Sequence, residues 1–149
     1  MLKQTLTKKK TGKLIDREAR KFLKKDGLDY NHGTGHGVGF FLNVHEGPQA
    51  ISKLNSVKIQ EGMILSNEPG YYRKSKFGIR IENLIYVNRI GRELFFKNLT
   101  LAPIEKDLIN FELLTNKEKK YLFNYHLEVY LKISPFLNRM EKKWLASFI

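Results

Sequence analysis

Cysteine is absent from this 149-residue sequence, which excludes disulfide bonds and thiolate metal ligands. No apolar run is long enough to span a bilayer. The N-terminal stretch MLKQTLTKKKTGK has no apolar centre, so it is not predicted to be a secretory signal. These absences predict a cytoplasmic protein that does not enter a membrane.

Acidic residues are scarce as well, with 15 Asp and Glu against 27 Lys and Arg and a net charge of +12. Such an excess is typical of proteins that bind nucleic acid. Apart from residues 8–10, however, the lysines are scattered, and the sequence has neither a Walker-type phosphate loop nor an aromatic RNA-binding signature. The pattern therefore favours an evenly solvated basic surface, with nucleic-acid binding kept as an alternative.

Three of the four histidines lie in one glycine-rich stretch, NHGTGHGVGFFLNVHEGP, at His32, His36 and His45. On a helix, the first two would share a face. Four glycines within seven residues would each cost about 1 kcal/mol there relative to alanine, so we expect extended backbone instead. Residues four apart in a strand also share a face, and glycines allow a close approach to the backbone. At this point a functional and a structural role for these histidines both remain open.

Two glutamates and an arginine lie downstream. Glu68 precedes a Pro-Gly turn, and Arg80 and Glu82 lie in an alternating run predicted to be one strand, with Arg80 and Glu82 on the same face. This pair could be a surface ion pair, or the arginine could orient a metal-bound carboxylate. One imidazole and two carboxylates would suit a hard divalent cation.

Four segments, HGTGHGVG, VHEGP, NEPGYY and GIRIEN, together resemble the catalytic motifs of the Xaa-Pro aminopeptidases (aminopeptidase P) in both order and spacing. These enzymes are pita-bread metallopeptidases related to methionine aminopeptidase and creatinase. The resemblance runs from about residue 12 to the end of the chain. It implies an α+β fold: the C-terminal half of a pita-bread domain, with a curved antiparallel sheet, packing helices and a C-terminal helical extension.

The resemblance also implies a role for each motif residue. The metal ligands would be His36, Glu68 and Glu82, with Glu82 bridging two metals and Glu68 also handling protons. On this assignment we expect the side chains of residues 36, 68 and 82 to converge on one point. His32 and His45 would flank the substrate and steady the tetrahedral intermediate, and Arg80 would lie beside the bridging carboxylate. The implied reaction is hydrolysis of the first peptide bond of peptides with proline in second position, by metal-activated water. Manganese is the expected metal, with zinc and cobalt as alternatives.

One departure from the family pattern concerns two aspartate ligands, which complete its dinuclear site from strands well upstream of the first histidine motif. Asp16, Asp26 and Asp29 do not lie in such a motif. The resemblance therefore implies an incomplete site. The missing half could come from another chain or from a homodimer partner. Alternatively, the chain could be an inactive remnant or a binding module.

The sequence divides into a basic, frayed segment 1–11, a partial catalytic domain 12–108 and a helical extension 109–149. Apolar periodicity, turn residues and a T-x-x-E capping box at Thr115 predict the secondary structure. The predicted helices are 13–26, 116–133 and 139–147, the last with Met140 and Trp144 packing on the sheet. The predicted strands are 38–45, 56–60, 63–67, 79–88 and 94–101, with a polar hairpin tip at 71–76.

Overall fold

The computed structural model describes residues 5–6 (backbone only), 10–41 and 43–149. Its contacts divide into two units, one ending at Thr100 and the other running from Leu101 to Ile149. The first unit contains β1 (Thr5–Leu6), α1 (Gly12–Lys25), β2 (Gly35–His36), β3 (Ala50–Ile51), β4 (Ile64–Asn67), β5 (Gly70–Arg73), β6 (Phe77–Arg80), β7 (Asn83–Ile90) and β8 (Glu93–Asn98). The second contains α2 (Asn116–Ile133), α3 (Arg139–Ala146) and three short 3₁₀ turns at Lys106–Leu108, Phe111–Leu113 and Ser134–Phe136.

The first unit is built on an antiparallel sheet with strand order β1-β8-β7-β4. Alternation along β7 turns Ile85 and Val87 to one face, where Leu65 of β4 and Ile15 of α1 join them. This cluster is the apolar core of the unit. It confirms the predicted α+β fold with a helix packed on an antiparallel sheet. The buried cluster consists of Ile15, Ile51, Ile59, Leu65, Ile85, Val87 and Leu94.

Helix α1 matches its prediction and stops where expected. Gly27 follows it with a φ of +71°, and Lys24 and Lys25 occupy its last turn, where they complement the helix dipole. Phe22, assigned to the apolar face, is instead 62% exposed. The predicted frayed segment 1–11 lies largely outside the described residues, although residues 5–6 pair with β8.

Strand β2 runs along the edge of β4. The Glu68 N–H donates to the Thr34 carbonyl (2.8 Å), and the Val38 N–H donates to the Ile64 carbonyl (3.1 Å). A Cβ on Gly35 would overlap the Ser66 carbonyl oxygen. The expected close approach to the glycines is therefore confirmed here, and the group that approaches is the chain's own backbone.

The predicted strand 38–45 is wrong in its described residues, and residue 42 lies outside them. After Gly39 the chain turns back, with the Gly39 N–H donating to the Asn43 carbonyl (2.9 Å) and Phe41 at a φ of +50°. Phe40 and Phe41 consequently point outward, 89% and 82% exposed. A turn closed by a local hydrogen bond therefore replaces the strand, which would need hydrogen bonds to a neighbouring strand.

The predicted strand 79–88 breaks at residues 81–82 because its two parts pair with different partners. Strand β6 pairs with β5, whereas β7 pairs with β4. Glu82 therefore lies in a connection, and the prediction that it shares a strand face with Arg80 is wrong. Strand β5 also occupies much of the predicted polar tip, leaving the turn at 74–76.

Of the other predicted strands, two are found and one is not. Strand 63–67 is confirmed as β4, and strand 94–101 is found as β8 but ends at Asn98. The predicted strand 56–60 is wrong, because only Lys58 forms a bridge, with Thr11. An isolated bridge lacks the neighbouring ladder bonds that define a strand.

In the second unit both helices match their predictions, and each begins with a capping box, at Thr115 and at Asn138. Tyr125, Val129 and Leu145 form its buried cluster. The expectation for Met140 and Trp144 is wrong, since they are 83% and 58% exposed and α3 buries Leu145 instead. The predicted boundary at residue 108 stays a prediction.

His126 of α2 is buried and fixed at both ring nitrogens. Its Nε2 accepts the Ile104 N–H (3.1 Å), and its Nδ1 lies 2.7 Å from the Phe148 carbonyl, to which it donates. A neutral imidazole satisfies both bonds. Across the described residues, no helix is both long enough and apolar enough to cross a membrane.

Candidate active site

The first two histidines of the glycine-rich stretch are anchored in the same way. His32 Nδ1 lies 2.7 Å from the Gly33 carbonyl, and His36 Nδ1 lies 3.0 Å from the Gly37 carbonyl. Because a carbonyl oxygen can only accept, Nδ1 carries the proton in both rings. Each ring therefore turns its Nε2 away from its own backbone.

His36 Nε2 faces the carboxylate of Glu68, with 3.4 Å between Nε2 and Oε1. In the neutral ring both of these atoms are acceptors. A proton on Nε2, or a cation between the two atoms, would make this contact attractive. An imidazole and a carboxylate also form a donor set that divalent metals accept.

Ser66, which the sequence analysis did not single out, holds this pair together. Its hydroxyl donates to Glu68 Oε1 (2.9 Å) and accepts the His36 N–H (2.9 Å). The serine is fully buried. Residues two apart in an extended segment share a face, so the spacing of Ser66 and Glu68 was the available signal.

Arg80 approaches the other side of the carboxylate and links it to His32. Its Nη1 donates to Glu68 Oε2 (3.1 Å), and its Nε donates to the Tyr72 hydroxyl (2.8 Å). The Tyr72 oxygen lies 2.8 Å from His32 Nε2. Hydrogen bonding to Tyr72, reinforced by the Glu68 and Glu82 charges, raises the pKa of the Arg80 guanidinium.

These bonds set which group donates at each step of the hydrogen-bond series from Glu68 to His32. With the His32 proton on Nδ1, the Tyr72 hydroxyl donates to Nε2 while its oxygen accepts from Arg80. Donation from His32 to a substrate oxygen would therefore require a second proton on the ring. Tyr72 was missed because it falls in a segment predicted to be a hairpin tip.

The structure brings His45 next to His36, and it places Glu82 near enough to Arg80 for its charge to act on the guanidinium. The His45 ring lies 3.9 Å from the His36 ring, centroid to centroid, whereas Glu82 is exposed in the β6–β7 connection. In the described part of the chain, no three His, Cys, Asp or Glu side chains are placed to hold a metal ion. In the chain alone, His36, Glu68 and Glu82 do not form such a group, so their assignment as metal ligands stays a prediction. His36 and Glu68 have suitable donor chemistry, and further ligands would be needed to complete a metal centre.

The fold and these motifs agree with the sequence comparison. Residues 1–89 match Metallopeptidase family M24, and residues 93–147 match the C-terminal region of peptidase M24. The first match covers more than half of the chain. The chain belongs to Metallopeptidase family M24, and its fold is of the pita-bread type.

Particular relatives narrow the comparison to Xaa-Pro aminopeptidases. The chain is 49% identical over 148 residues to "Probable Xaa-Pro aminopeptidase P" of Coprinopsis cinerea, covering 91% of this chain and 24% of the relative. It is 47% identical over 151 residues to "Xaa-Pro aminopeptidase 1" of Dictyostelium discoideum, covering 93% and 24%.

A solved structure of an X-prolyl aminopeptidase also resembles this chain. The X-prolyl aminopeptidase of Caenorhabditis elegans, described as a cytosolic enzyme with a di-nuclear active site, superposes with a TM-score of 0.90 at 37% identity. The match covers 99% of this chain and 26% of that enzyme. The chain thus spans about a quarter of the length of the relatives it matches.

Proposed function

We propose that this chain forms the C-terminal catalytic part of an Xaa-Pro aminopeptidase. Its substrates would be peptides with proline in second position, from which the first residue is released by hydrolysis. The observation that carries the proposal is the approach of His36 Nε2 to Glu68 Oε1 at 3.4 Å, with Arg80 on the other carboxylate oxygen. The names of the fungal and amoebal relatives support the same substrate class.

The proposed cofactor is a divalent metal, with manganese preferred and zinc or cobalt as alternatives. His36, Glu68 and Glu82 would be ligands, His32 and His45 would act around the substrate, and Arg80 would lie beside the bridging carboxylate of Glu82. Because the described residues of one chain do not complete a metal centre, the remaining ligands would come from another segment or another chain. The completed centre would supply the activated water that family M24 chemistry requires.

We further propose that the protein is cytoplasmic, by analogy with the cytosolic enzyme of C. elegans. A second polypeptide, or a second copy of the chain, would complete the site. The exposed apolar side chains of β6 and its flank, Phe77, Ile79 and Ile81, are consistent with a surface that another segment covers.

A chimaera tests the function directly. The matching region of the D. discoideum relative, which aligns with 93% of this chain, is replaced by this chain, and hydrolysis of an Xaa-Pro peptide is followed with added Mn²⁺. We expect the chimaera to be active, and we expect His36→Ala and Glu68→Gln to lose most of that activity.

The matched control is Glu61→Gln, which makes the same substitution at an exposed glutamate paired with Arg89. It should retain the rate of the parent chimaera. A folded chimaera without activity would contradict the proposed function. If Glu82→Gln hydrolysed as fast as the parent, the assignment of Glu82 as a ligand would be wrong.

A further inference from the structure

Arg20 lies at the centre of a buried network in the first unit and belongs to none of the motifs described above. It extends from α1 beneath the loop that carries His32 and is only 1% exposed. Its Nε lies 2.9 Å from both carboxylate oxygens of Asp16, and its Nη1 lies 2.6 Å from Asp29 Oδ1. Every nitrogen of the guanidinium is engaged once the loop carbonyls are included.

Those carbonyls belong to the loop before β2. Arg20 Nη1 donates to the Tyr30 carbonyl (2.7 Å), and Nη2 donates to the His32 carbonyl (2.5 Å). One rigid, planar group thus fixes two peptide planes on either side of Asn31. A lysine ammonium could not reproduce this arrangement, because it lacks the fork of fixed donors.

The side chain of Tyr30 connects the guanidinium to the imidazole of His32. The Arg20 Cζ lies 3.9 Å from the centre of the Tyr30 ring, and the His32 ring lies 4.8 Å from it. The Tyr30 hydroxyl is 2.5 Å from Thr34 Oγ1, which donates to Asp16 (2.6 Å). The loop is therefore held at its carbonyls, at its aromatic ring and at Thr34.

The hydrogen bonds of this network favour the charged form of the Arg20 guanidinium. Burial would lower the pKa of Arg20, but hydrogen bonds to Asp29 and Asp16 outweigh it and raise that pKa. A buried ion network of this kind adds little net stability over an apolar replacement of similar volume. We therefore attribute to this network the fixing of the loop's geometry and not a gain in the stability of the fold.

We propose that Arg20 is a positioning residue that orients the His32 imidazole toward Tyr72. It acts through the carbonyls of residues 30 and 32 and through the Tyr30 ring, and it does not touch the reacting groups itself. The catalytic consequence rests on the proposed function, whereas the orientation of His32 can be measured without any turnover.

The test compares Arg20→Lys with Arg17→Lys, the same change at an exposed position of the same helix. In ¹⁵N-labelled protein, imidazole nitrogen shifts report the His32 tautomer, and a cross-peak reports its contact with Tyr72. We expect Arg20→Lys to lose the Tyr72 contact and to average the two tautomers. Arg17→Lys should match the wild type, and the His126 signals should be unchanged in both variants.

An Arg20→Lys protein that is folded, with His32 still in the Nδ1–H tautomer and in contact with Tyr72, would overturn the proposal. If that variant does not fold, Asp16→Asn takes its place, because it loosens the hold on Nε while keeping an accepting oxygen. The same loss of His32 order supports the proposal, and an unchanged His32 spectrum overturns it. In an active chimaera, Arg20→Lys should lower kcat by about tenfold or more with little change in KM.

Discussion

Replacing the buried Ser66 by alanine should destabilise the first unit and loosen the pair of site residues that it joins. The hydroxyl donates to the carboxylate of Glu68 and accepts the N–H of His36. Losing a hydrogen bond to a charged group costs about 1.5–3 kcal/mol, and an unpaired, partly buried N–H adds about 1 kcal/mol. Because the lost contacts share one atom, we expect a total of about 2–3 kcal/mol rather than the full sum.

Urea unfolding followed by circular dichroism measures this loss. The matched control is Ser56→Ala, which removes an exposed hydroxyl and should stay within about 0.5 kcal/mol of the wild type. At a roughly 3 kcal/mol loss, the melting temperature should fall by on the order of 10 °C. The reasoning about Ser66 is refuted if the two variants unfold at the same urea concentration.

Three further predictions concern other parts of the chain. Gly35→Ala should lose more than about 2 kcal/mol of stability, because its Cβ would overlap a carbonyl of β4. The control Gly33→Ala should lose far less, because the nearest neighbours of its Cβ lie at 3.6 Å. Similar urea midpoints for the two variants would contradict this prediction. Burial alone would raise the pKa of Asp29, but its hydrogen bonds lower it, so the stability that it contributes is present above about pH 4 and is lost as the pH falls below that value. Asp29→Asn should therefore flatten the acid limb of a urea-midpoint series from pH 6 to pH 2.5, and Asp26→Asn should not. His126→Leu leaves two backbone partners unpaired and should lower the stability of the second unit by about 2–4 kcal/mol, followed by the single tryptophan; an unshifted transition would count against the two hydrogen bonds.

Local sequence rules predicted the helices well because each helix carries its own signals. The capping box at Thr115 and the apolar spacing after it gave α2 its observed bounds. Gly27 ended α1 for the same kind of local reason. Such signals depend on neighbours within one or two turns, which the sequence displays directly.

Strand limits were predicted less well because they depend on pairing partners that lie far apart in sequence. The run 79–88 alternates apart from Asn83 and Leu84, yet its two parts pair with β5 and β4, and the break between them carries Glu82. The run 38–45 has suitable β-branched and aromatic residues but turns back after Gly39. Alternation describes one strand and does not reveal its neighbours.

The candidate site was predictable where a motif named the residue, as for His36 and Glu68, and not where the role came from packing. Ser66 looks like an ordinary strand residue. Asp16 and Arg20 are spaced four apart on a helix, which is also the spacing of a surface ion pair. Only the fold shows that this pair is buried beneath the histidine loop.

The most direct test of the account is a calorimetric titration of the purified chain with Mn²⁺, repeated with His36→Ala. We expect weak binding of at most one ion, because the described residues bring one imidazole and one carboxylate together, and we expect the substitution to abolish it. Two tightly bound ions in the chain alone, or binding that is indifferent to the loss of His36, would contradict the account.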